Sequence, residues 1–311
     1  MTSLFPRRLA AVGASALLSS AVVLATWGAG AMSAQAAGVQ MMHVHGLAFS
    51  PDGSKLYVPD HHGVAVHAAG RWSVMPGQPD DYMGFAITRA ALYSSGHPAP
   101  GSNAVNPLGL VKSTDGGRTW RSLGLQGEAD FHVMTAGYAS GAVYALAMES
   151  NSRMPVPGLY GTTDDGHNWM HAAAQGLQGQ VFALAAHPTD PRIVAAATRS
   201  GLYLSSDGGG HFRTLATGAQ FLSVMFDLDG RHLWYGSYDG QTHLTRIAWG
   251  SPTEKPSAIA LPPMRRDAVA YIAQDPVHRH RLAIATFNRD VYVSEDAGGK
   301  WRQVASQGRT D

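Results

Sequence analysis

The sequence repeats one eight-residue pattern four times: STDGGRTW at 113–120, TTDDGHNW at 162–169, SSDGGGHF at 205–212 and SEDAGGKW at 294–301. Each copy has the form S/T-x-D-x-G-x-x-W/F, which we call the repeat motif. The aspartates of successive copies are 49, 43 and 89 residues apart. Because the last interval is about twice the others, we expect one repeat of the chain to have lost its motif.

The residue types of the motif predict a tight turn between two strands. Glycine tolerates a positive φ, and Asp, Ser and Thr side chains can bond backbone N–H groups across a turn. The final aromatic residue then buries a large apolar area as the next strand begins. The residues with these structural roles are Ser113, Asp115, Gly117 and Trp120; Asp164, Gly166 and Trp169; Asp207, Gly209 and Phe212; and Asp296, Gly298 and Trp301.

The repeat motif resembles the Asp-box, or BNR repeat, of the sialidase-like β-propellers, and the resemblance covers most of the chain after about residue 40. It implies an all-β propeller, with the Asp-boxes on the rim and away from the ligand. The segment His43-Val-His45-Gly46-Leu47 is also similar to exported bacterial BNR proteins that open with H-x-H-G-L and are often labelled glycosyl hydrolases. BNR-type assembly factors of photosystem II share the architecture and act as binding scaffolds, so the fold alone does not imply an enzyme.

The remainder of the sequence divides into six units of about 45 residues. The fourth is the clearest, with strands expected at 181–186, 193–198, 202–204 and 212–215, separated by turns rich in Pro, Asp and Gly. Four antiparallel strands per unit are typical of a propeller blade. We therefore predict six blades, with seven as the alternative. The fifth unit lacks the motif, and 241–249 stands where it is expected; residues before His43 are expected to add a strand to the last blade.

The first 36 residues have the features of a signal peptide. Arg7 and Arg8 precede an apolar run at 9–26, and Ala34-Gln35-Ala36 is a small-x-small cleavage site. We expect a signal peptide at 1–36 and a single propeller domain at 37–311, exported to the periplasm or medium by the Sec or the Tat route. A retained membrane anchor is the alternative, but the run is diluted by Gly and Ser, so we expect no stable membrane insertion after cleavage.

The amino-acid composition argues against some classes of partner and excludes some kinds of site. The formal net charge is only +1, which argues against a nucleic-acid partner. The absence of cysteine excludes disulfides, thiolate metal sites and a cysteine nucleophile. A small ligand, a glycan or another exported protein remain as the expected partners.

Blade topology assigns polar residues to the two faces of a propeller. We call the upper face the one that carries the connections between blades and the turns between second and third strands. The expected ligand or metal candidates there are His43, His45, Asp60, His61, His62, Met83, His97 and His132. Among these, we expect His43 and His45 to begin the inner strand of blade one and His132 to begin that of blade three. Further candidates in upper loops or at strand mouths are Asp81, Asp130, Glu149, Asn151, Arg153 and Asp267. Two upper loops are unusually long, from Ser94 to Leu108 and from Glu149 to Pro157. We expect each of them to be either a binding element or a solvated insertion.

Three functions remain open for this face. The first is a non-catalytic module that binds a ligand or a protein. The second is glycoside hydrolysis, although no arginine triad or R-I-P segment of the sialidase type is present, and no residue is assigned as catalytic. The third is binding of Cu or Zn by imidazoles spaced i, i+2 together with a third His or a carboxylate. Alternatively, the histidines bond backbone groups and pack between blades.

Overall fold

Six four-stranded antiparallel sheets form the molecule. The computed structural model describes residues 38–251 and 253–310, and the leader expected at 1–36 lies outside them. Blade one holds β1 (Ala48–Phe49), β2 (Lys55–Asp60), β3 (Gly63–Ala68) and β4 (Arg71–Val74); blade two holds β5 (Asp81–Ile87), β6 (Leu92–His97), β7 (Leu110–Ser113) and β8 (Arg121–Gly124); blade three holds β9 (Met134–Ala136), β10 (Val143–Ala147), β11 (Gly158–Thr162) and β12 (Met170–His171).

The second half of the chain repeats this arrangement. Blade four holds β13 (Val181–Ala186), β14 (Val194–Thr198), β15 (Gly201–Ser205) and β16 (Arg213–Thr217); blade five holds β17 (Gln220–Phe226), β18 (His232–Tyr238), β19 (Thr242–Ala248) and β20 (Ser257–Ile259); blade six holds β21 (Val269–Gln274), β22 (Leu282–Thr286), β23 (Val291–Ser294) and β24 (Arg302–Ala305). Each sheet is ordered by sequence, so every connection within a blade is a hairpin. The six-bladed propeller is confirmed, and none of the described residues forms a helix that could cross a membrane.

The hydrophobic core is divided into six clusters, and each cluster fills the space between two neighbouring blades. Blades one and six share Phe49, Val58 and Ala283, for example, and blades four and five share Leu204 and Phe226. The inner strands β1, β5, β9, β13, β17 and β21 contact one another in a closed ring. Apolar burial therefore joins each blade to both neighbours, which is why the β-rich chain adopts one ring.

The four repeat motifs form the same set of hydrogen bonds. The Ser or Thr hydroxyl donates to the aspartate Oδ1 over 2.7–2.9 Å and accepts the N–H of the motif glycine over 2.8–3.1 Å. The same Oδ1 accepts the backbone N–H of the seventh motif residue over 2.8–3.0 Å. Hydrogen bonds from Thr119 and Asn168 lower the pKa of Asp115 and Asp164 to about 2. The expected bracing of the turn by side chains is thus present.

Each blade also supplies one aromatic side chain to the interface with the blade before it. Four of these end a repeat motif, and the other two are Trp72 in blade one and Trp249 in blade five. The indole N–H of Trp72 donates to Val304 O (2.8 Å), and that of Trp249 donates to Gly230 O (3.0 Å). A large aromatic residue therefore remains where the motif itself has been lost.

In blade five, the segment that was expected at the position of the missing motif is part of a strand. The stretch 241–249 was expected to replace the turn, but most of it forms β19. This assignment was wrong because a strand that begins after the Asp239–Gln241 turn extends over seven residues, the same length as its partner β18. A network at the lower end of the blade joins the strands instead. Asp227, 5% exposed, accepts hydrogen bonds from Arg246 Nε and Nη2 at 3.2 and 3.0 Å.

The first and last segments of the described chain, residues 39–41 and 308–310, close the ring. Met41 N–H donates to Gly308 O (2.7 Å), Val39 N–H donates to Thr310 Oγ1 (2.7 Å), and Gln40 pairs with Arg309 in an antiparallel bridge. The expected addition to the last blade therefore occurs in altered form, because the N-terminal segment pairs with the tail beyond β24 and not with β24 itself. Met41 is fully buried between blades one and six.

Candidate metal centre

Three segments of the chain bring polar side chains together at the upper face. His43 and His45 precede β1, His61 lies in the turn between β2 and β3, and Asp81 begins β5. The His43–His45 segment was expected to be the start of the inner strand, but β1 begins only at Ala48. It is nevertheless held beside β2, because His45 N–H donates to Pro59 O over 3.0 Å.

Asp60 joins two of these segments to each other. Its carboxylate is 4% exposed and accepts the backbone N–H of His62 at 2.8 Å and that of Met42 at 3.3 Å. Burial raises the pKa of Asp60, and the two N–H donors oppose that shift. Asp60 thus fixes the turn that carries His61 against the segment that carries His43.

The first cluster consists of His43, His45, His61 and Asp81, and each of these side chains lies within hydrogen-bonding distance of at least one other. His45 Nε2 and His61 Nδ1 are 3.3 Å apart, and His61 Nδ1 is 2.7 Å from Asp81 Oδ2. His45 Nε2 is 3.5 Å from Asp81 Oδ1. On the other side of its ring, His61 Nε2 is 2.7 Å from His43 Nδ1. Four residues from two blades therefore converge.

The electrostatics of this cluster favour neutral imidazole at His45. Burial lowers the pKa of His45 to about 4, and the neighbouring His61, His43 and His132 add to the effect, whereas the Asp81 carboxylate opposes it. The ring is therefore neutral at neutral pH and offers a lone pair without first losing a proton. One oxygen of Asp81, Oδ1, is buried without a hydrogen-bond partner.

These separations suit a metal ion. Two nitrogen ligands at about 2.0–2.1 Å from a tetrahedral Zn²⁺ lie about 3.3–3.4 Å apart. The three distances among His45 Nε2, His61 Nδ1 and the Asp81 carboxylate are 2.7, 3.3 and 3.5 Å, which bracket that value. Two imidazoles and one carboxylate, with solvent on the remaining side, form a recognised donor set for divalent transition metals.

A second cluster of the same kind lies beside the first and consists of His97, Asp130 and His132. Asp130 Oδ2 is 3.1 Å from His97 Nε2 and 2.6 Å from His132 Nε2. The hydrogen bond that His132 donates to the Asp130 carboxylate, supported by the charge of that group, raises the pKa of His132 against the effect of burial. His132 was expected to begin the inner strand of blade three, but β9 begins at Met134, and His132 lies in the loop before it.

The remaining candidates occupy the upper face without joining either cluster. Within residues 38–251 and 253–310, the hydrogen bonds of the two clusters do not include the side chains of His62 or Met83. Asp267 is buried and accepts the N–H groups of Ala268 (2.8 Å) and Asn288 (3.0 Å), so it braces blade six.

The blade-three loop is braced by its own polar residues. Asn151 Oδ1 accepts the N–H groups of Arg153 and Met154, and Arg153 Nη1 donates to Leu123 O (3.1 Å) and Gly166 O (2.5 Å). The guanidinium is therefore engaged by main-chain carbonyls, while Glu149 is exposed. In blade two the loop between strands spans 98–109, because Ser94, expected to be its first residue, lies inside β6.

The sequence did not predict two features near the clusters, a contact of Asn106 and a central cavity. Asn106 Oδ1 lies 2.7 Å from His97 Nδ1, and its place in a long loop gave no signal of that contact. The inner strands of all six blades also line a central cavity of about 210 Å³. His45 and His132 are part of its wall at the upper end, and most of the other lining side chains, such as Phe85, Phe182 and Tyr271, are apolar or aromatic.

Comparison with known proteins supports the propeller fold but does not indicate what this protein binds or catalyses. The sequence matches no protein-family model and no curated protein. Among solved structures, a GH74 xyloglucanase from Xanthomonas campestris is 18% identical with a TM-score of 0.55, and the alignment covers 86% of this chain and 46% of that one. The Niastella koreensis GH74 enzyme is 16% identical with a TM-score of 0.59 and the same coverage.

A third similar structure is a β-propeller domain of about the same size as this chain. The Cps50 (Swd1) β-propeller domain from Myceliophteria thermophila is 14% identical with a TM-score of 0.53, covering 86% of this chain and 88% of that domain. The alignments with the two GH74 enzymes, by contrast, cover less than half of the length of each enzyme. At these identities the likeness establishes a propeller and no particular activity.

Proposed function

We propose that this protein is an exported, non-catalytic binding module that holds a divalent transition-metal ion at its upper face. The observation that carries the proposal is the convergence of His45 Nε2, His61 Nδ1 and the Asp81 carboxylate, with 2.7–3.5 Å between donor atoms. Export rests on the leader expected at 1–36, which lies outside the described residues, and forms part of the proposal.

The chemistry of the donors selects the class of ion. Two imidazoles and one carboxylate suit Zn²⁺ and Cu²⁺ better than the hard ions Ca²⁺ and Mg²⁺, which prefer oxygen ligands. Asp81 supplies one negative charge against the charge of the ion, and its buried Oδ1 lacks any hydrogen-bond partner that the ion would have to displace. The side chains of His45 and Asp81 are only 13% and 17% exposed, so little water competes for these donors.

His43 has a different part in the proposed site. When His61 Nδ1 holds the ion, His61 Nε2 carries the proton and donates to His43 Nδ1, which lies 2.7 Å away. A hydrogen bond of this kind fixes the tautomer and the orientation of a metal-ligating imidazole. His43 is therefore a positioning residue behind the ligand.

The direct test is metal analysis of untagged protein after equilibrium dialysis against ZnCl₂ or CuSO₄. We expect His45→Ala, His61→Ala and Asp81→Ala each to lose one ion per chain relative to wild type. His243→Ala is a matched control, because His243 also contacts a carboxylate, Asp239, at 2.9 Å but has no third donor. Unchanged binding in all three variants would refute the site.

Glycoside hydrolysis is the second candidate function, but no described contact favours it over metal binding. Its support is the likeness to GH74 enzymes, which at 16–18% identity concerns the fold alone. The carboxylates of the upper-face clusters face imidazoles or backbone N–H groups. Turnover of fluorogenic glycosides that is abolished by Asp60→Asn would establish hydrolysis instead.

A further inference from the structure

The second cluster, His97, Asp130 and His132, is built from chain segments that do not contribute to the first. His97 is the last residue of β6 in blade two, whereas Asp130 and His132 lie in the connection that leads into β9 of blade three. The cluster therefore spans the junction of two blades. Its three donors come together only when both blades are folded and packed, as expected for a site that is formed by the ring.

The two imidazoles of this cluster face the same carboxylate oxygen. His97 Nε2 and His132 Nε2 both face Asp130 Oδ2, at 3.1 and 2.6 Å. The second carboxylate oxygen, Asp130 Oδ1, is buried and has no hydrogen-bond partner among the described residues. The arrangement repeats the two-imidazole, one-carboxylate set of the first cluster, including the carboxylate oxygen without a partner.

A further contact sets the tautomer of His97. Its Nδ1 lies 2.7 Å from Asn106 Oδ1, so the ring donates Nδ1–H to the amide oxygen. Nε2 then carries the lone pair, and this lone pair faces the Asp130 carboxylate at 3.1 Å. Two electron-rich groups at this distance attract each other only through a cation, which is either a proton on Nε2 or a metal ion that His97 shares with Asp130. An amide that orients the outer nitrogen of a histidine is a common support for a metal ligand.

We propose that His97 Nε2, His132 Nε2 and the Asp130 carboxylate form a second, separate site for a divalent transition-metal ion. The class of ion is the same as at the first cluster, because the donor set is the same. The site shares no ligand residue with the first one. Asp81 and His97 are direct partners across β5 and β6, so the two ions lie on neighbouring strands of one blade edge.

The exposure of the histidine side chains predicts which of the two sites binds its ion more tightly. The side chains of His97 and His132 are 42% and 55% exposed, against 13% and 34% for His45 and His61. Water competes more for the exposed donors, and their side chains lose more freedom when an ion fixes them. The second site is therefore the weaker of the two and the first to release its ion.

A third group of His and Asp side chains among the described residues, with two carboxylates and one imidazole, serves as a contrast. Asp227, Asp229 and His232 also lie close together at the lower end of blade five. Arg246 Nη2, however, is 3.0 Å from Asp227 and 3.3 Å from Asp229. A cation already occupies the space between those carboxylates, so the group forms an ion-pair network and not a metal site.

The experiment is a zinc titration of the untagged chain by calorimetry, with stoichiometry checked by Co²⁺ absorption. Wild type is expected to bind two ions with different affinities. His97→Ala/His132→Ala is expected to keep the tighter ion and lose the weaker one, and His45→Ala/His61→Ala is expected to do the reverse. His243→Ala keeps both. Circular dichroism and the melting temperature of each variant establish that it is folded.

The outcomes separate this inference from the proposed function. One ion in wild type that is lost with His45 and His61 overturns the second site and leaves the first. One ion that is lost with His97 and His132 supports the second site and refutes the first. Loss of both ions in either folded variant overturns the separation into two sites. The absence of any bound ion refutes both.

Discussion

At the scale of the residue, the upper face depends on side chains that fix others in place. Asp60 accepts two backbone N–H groups from separate segments, and His61 contacts partners through both of its ring nitrogens. These contacts reduce the rotamer freedom that a ligand would otherwise have to freeze. The imidazoles are therefore arranged before any ligand arrives, which is the property that a tight site requires.

The positioning role of His43 leads to a graded prediction. His43→Ala should weaken zinc binding about 10–100-fold and keep the stoichiometry, because it removes support for His61 and no ligand. His43→Asn should recover part of the loss, since its amide oxygen can accept the proton of His61 Nε2. Calorimetric titration measures both. Complete loss of the tight ion in His43→Ala would instead make His43 a ligand.

His67 leads to a prediction about acid stability. It is 5% exposed beside Trp72, and burial, together with Arg302 and Arg281, lowers its pKa below the ordinary 6.5. The unfolded chain therefore takes up this proton at a higher pH than the folded one, so the free energy of unfolding falls as the pH drops below 6.5. His67→Phe should lose less stability than wild type between about pH 7 and about pH 5.

Urea denaturation at several pH values measures that difference. At about pH 8 the ring is neutral in both states, so the two proteins compared there differ only in packing. An equal loss of stability on acidification in wild type and His67→Phe would show that this ring does not couple folding to pH.

At the scale of the element, the blade combines a braced turn with one aromatic side chain. Among the described residues, the braced turn of the repeat motif occurs in four blades, whereas the aromatic residue occurs in all six. Blade five keeps Trp249 and joins its strands through Asp227 and Arg246. Burial against the preceding blade is thus the common requirement, and the turn can be stabilised in more than one way.

Trp249 tests this conclusion. Trp249→Ala should lower the free energy of unfolding by about 3 kcal/mol, because it opens a cavity between blades four and five and leaves Gly230 O without its indole donor. Met170→Ala is the control, since that side chain is 78% exposed and should change stability by no more than about 0.5 kcal/mol. Similar losses in the two variants would contradict the assigned role of Trp249.

At the scale of the whole molecule, the ring is closed by short contacts between its two ends. Residues 39–41 and 308–310 exchange backbone and hydroxyl hydrogen bonds, and Met41 fills the core between the first and last blades. The Arg289 guanidinium adds a hydrogen bond to Met42 O over 3.0 Å. Closure thereby also holds the segment that carries His43 and His45.

Deletion of residues 308–311 should therefore affect both the fold and the site. We expect a loss of at least about 3 kcal/mol, because the hydrogen bonds between residues 39–41 and 308–310 are lost at roughly 1 kcal/mol each and Met41 becomes exposed. For a domain of this size, that corresponds to a fall in Tm of roughly 6–12 °C. Zinc affinity should fall as well. Deletion of residue 311 alone is the control, and a Tm equal to wild type in the longer deletion would refute the role of the tail.

The repeat motif predicted the six-bladed ring because local turn chemistry and strand alternation recur within every 45 or so residues. It also predicted that the candidate histidines His43, His45, His61, His62, His97 and His132 lie on one face, since strand direction alternates in a fixed way within a blade. The two-residue spacing of His43 and His45 could not show that Asp81 completes their cluster, or that Asn106 orients His97. Those contacts join residues far apart in sequence.

The sequence by itself therefore predicted four-stranded blades, favoured six of them over seven, and predicted the face on which the candidate polar residues lie, because these follow from patterns within each repeat. Only the tertiary structure decided which imidazoles share a carboxylate, which of them are shielded from water, and how the two ends of the chain meet. The physical reason is that those distances depend on the packing of one blade against the next, and this packing is set by the shapes of buried side chains from different repeats.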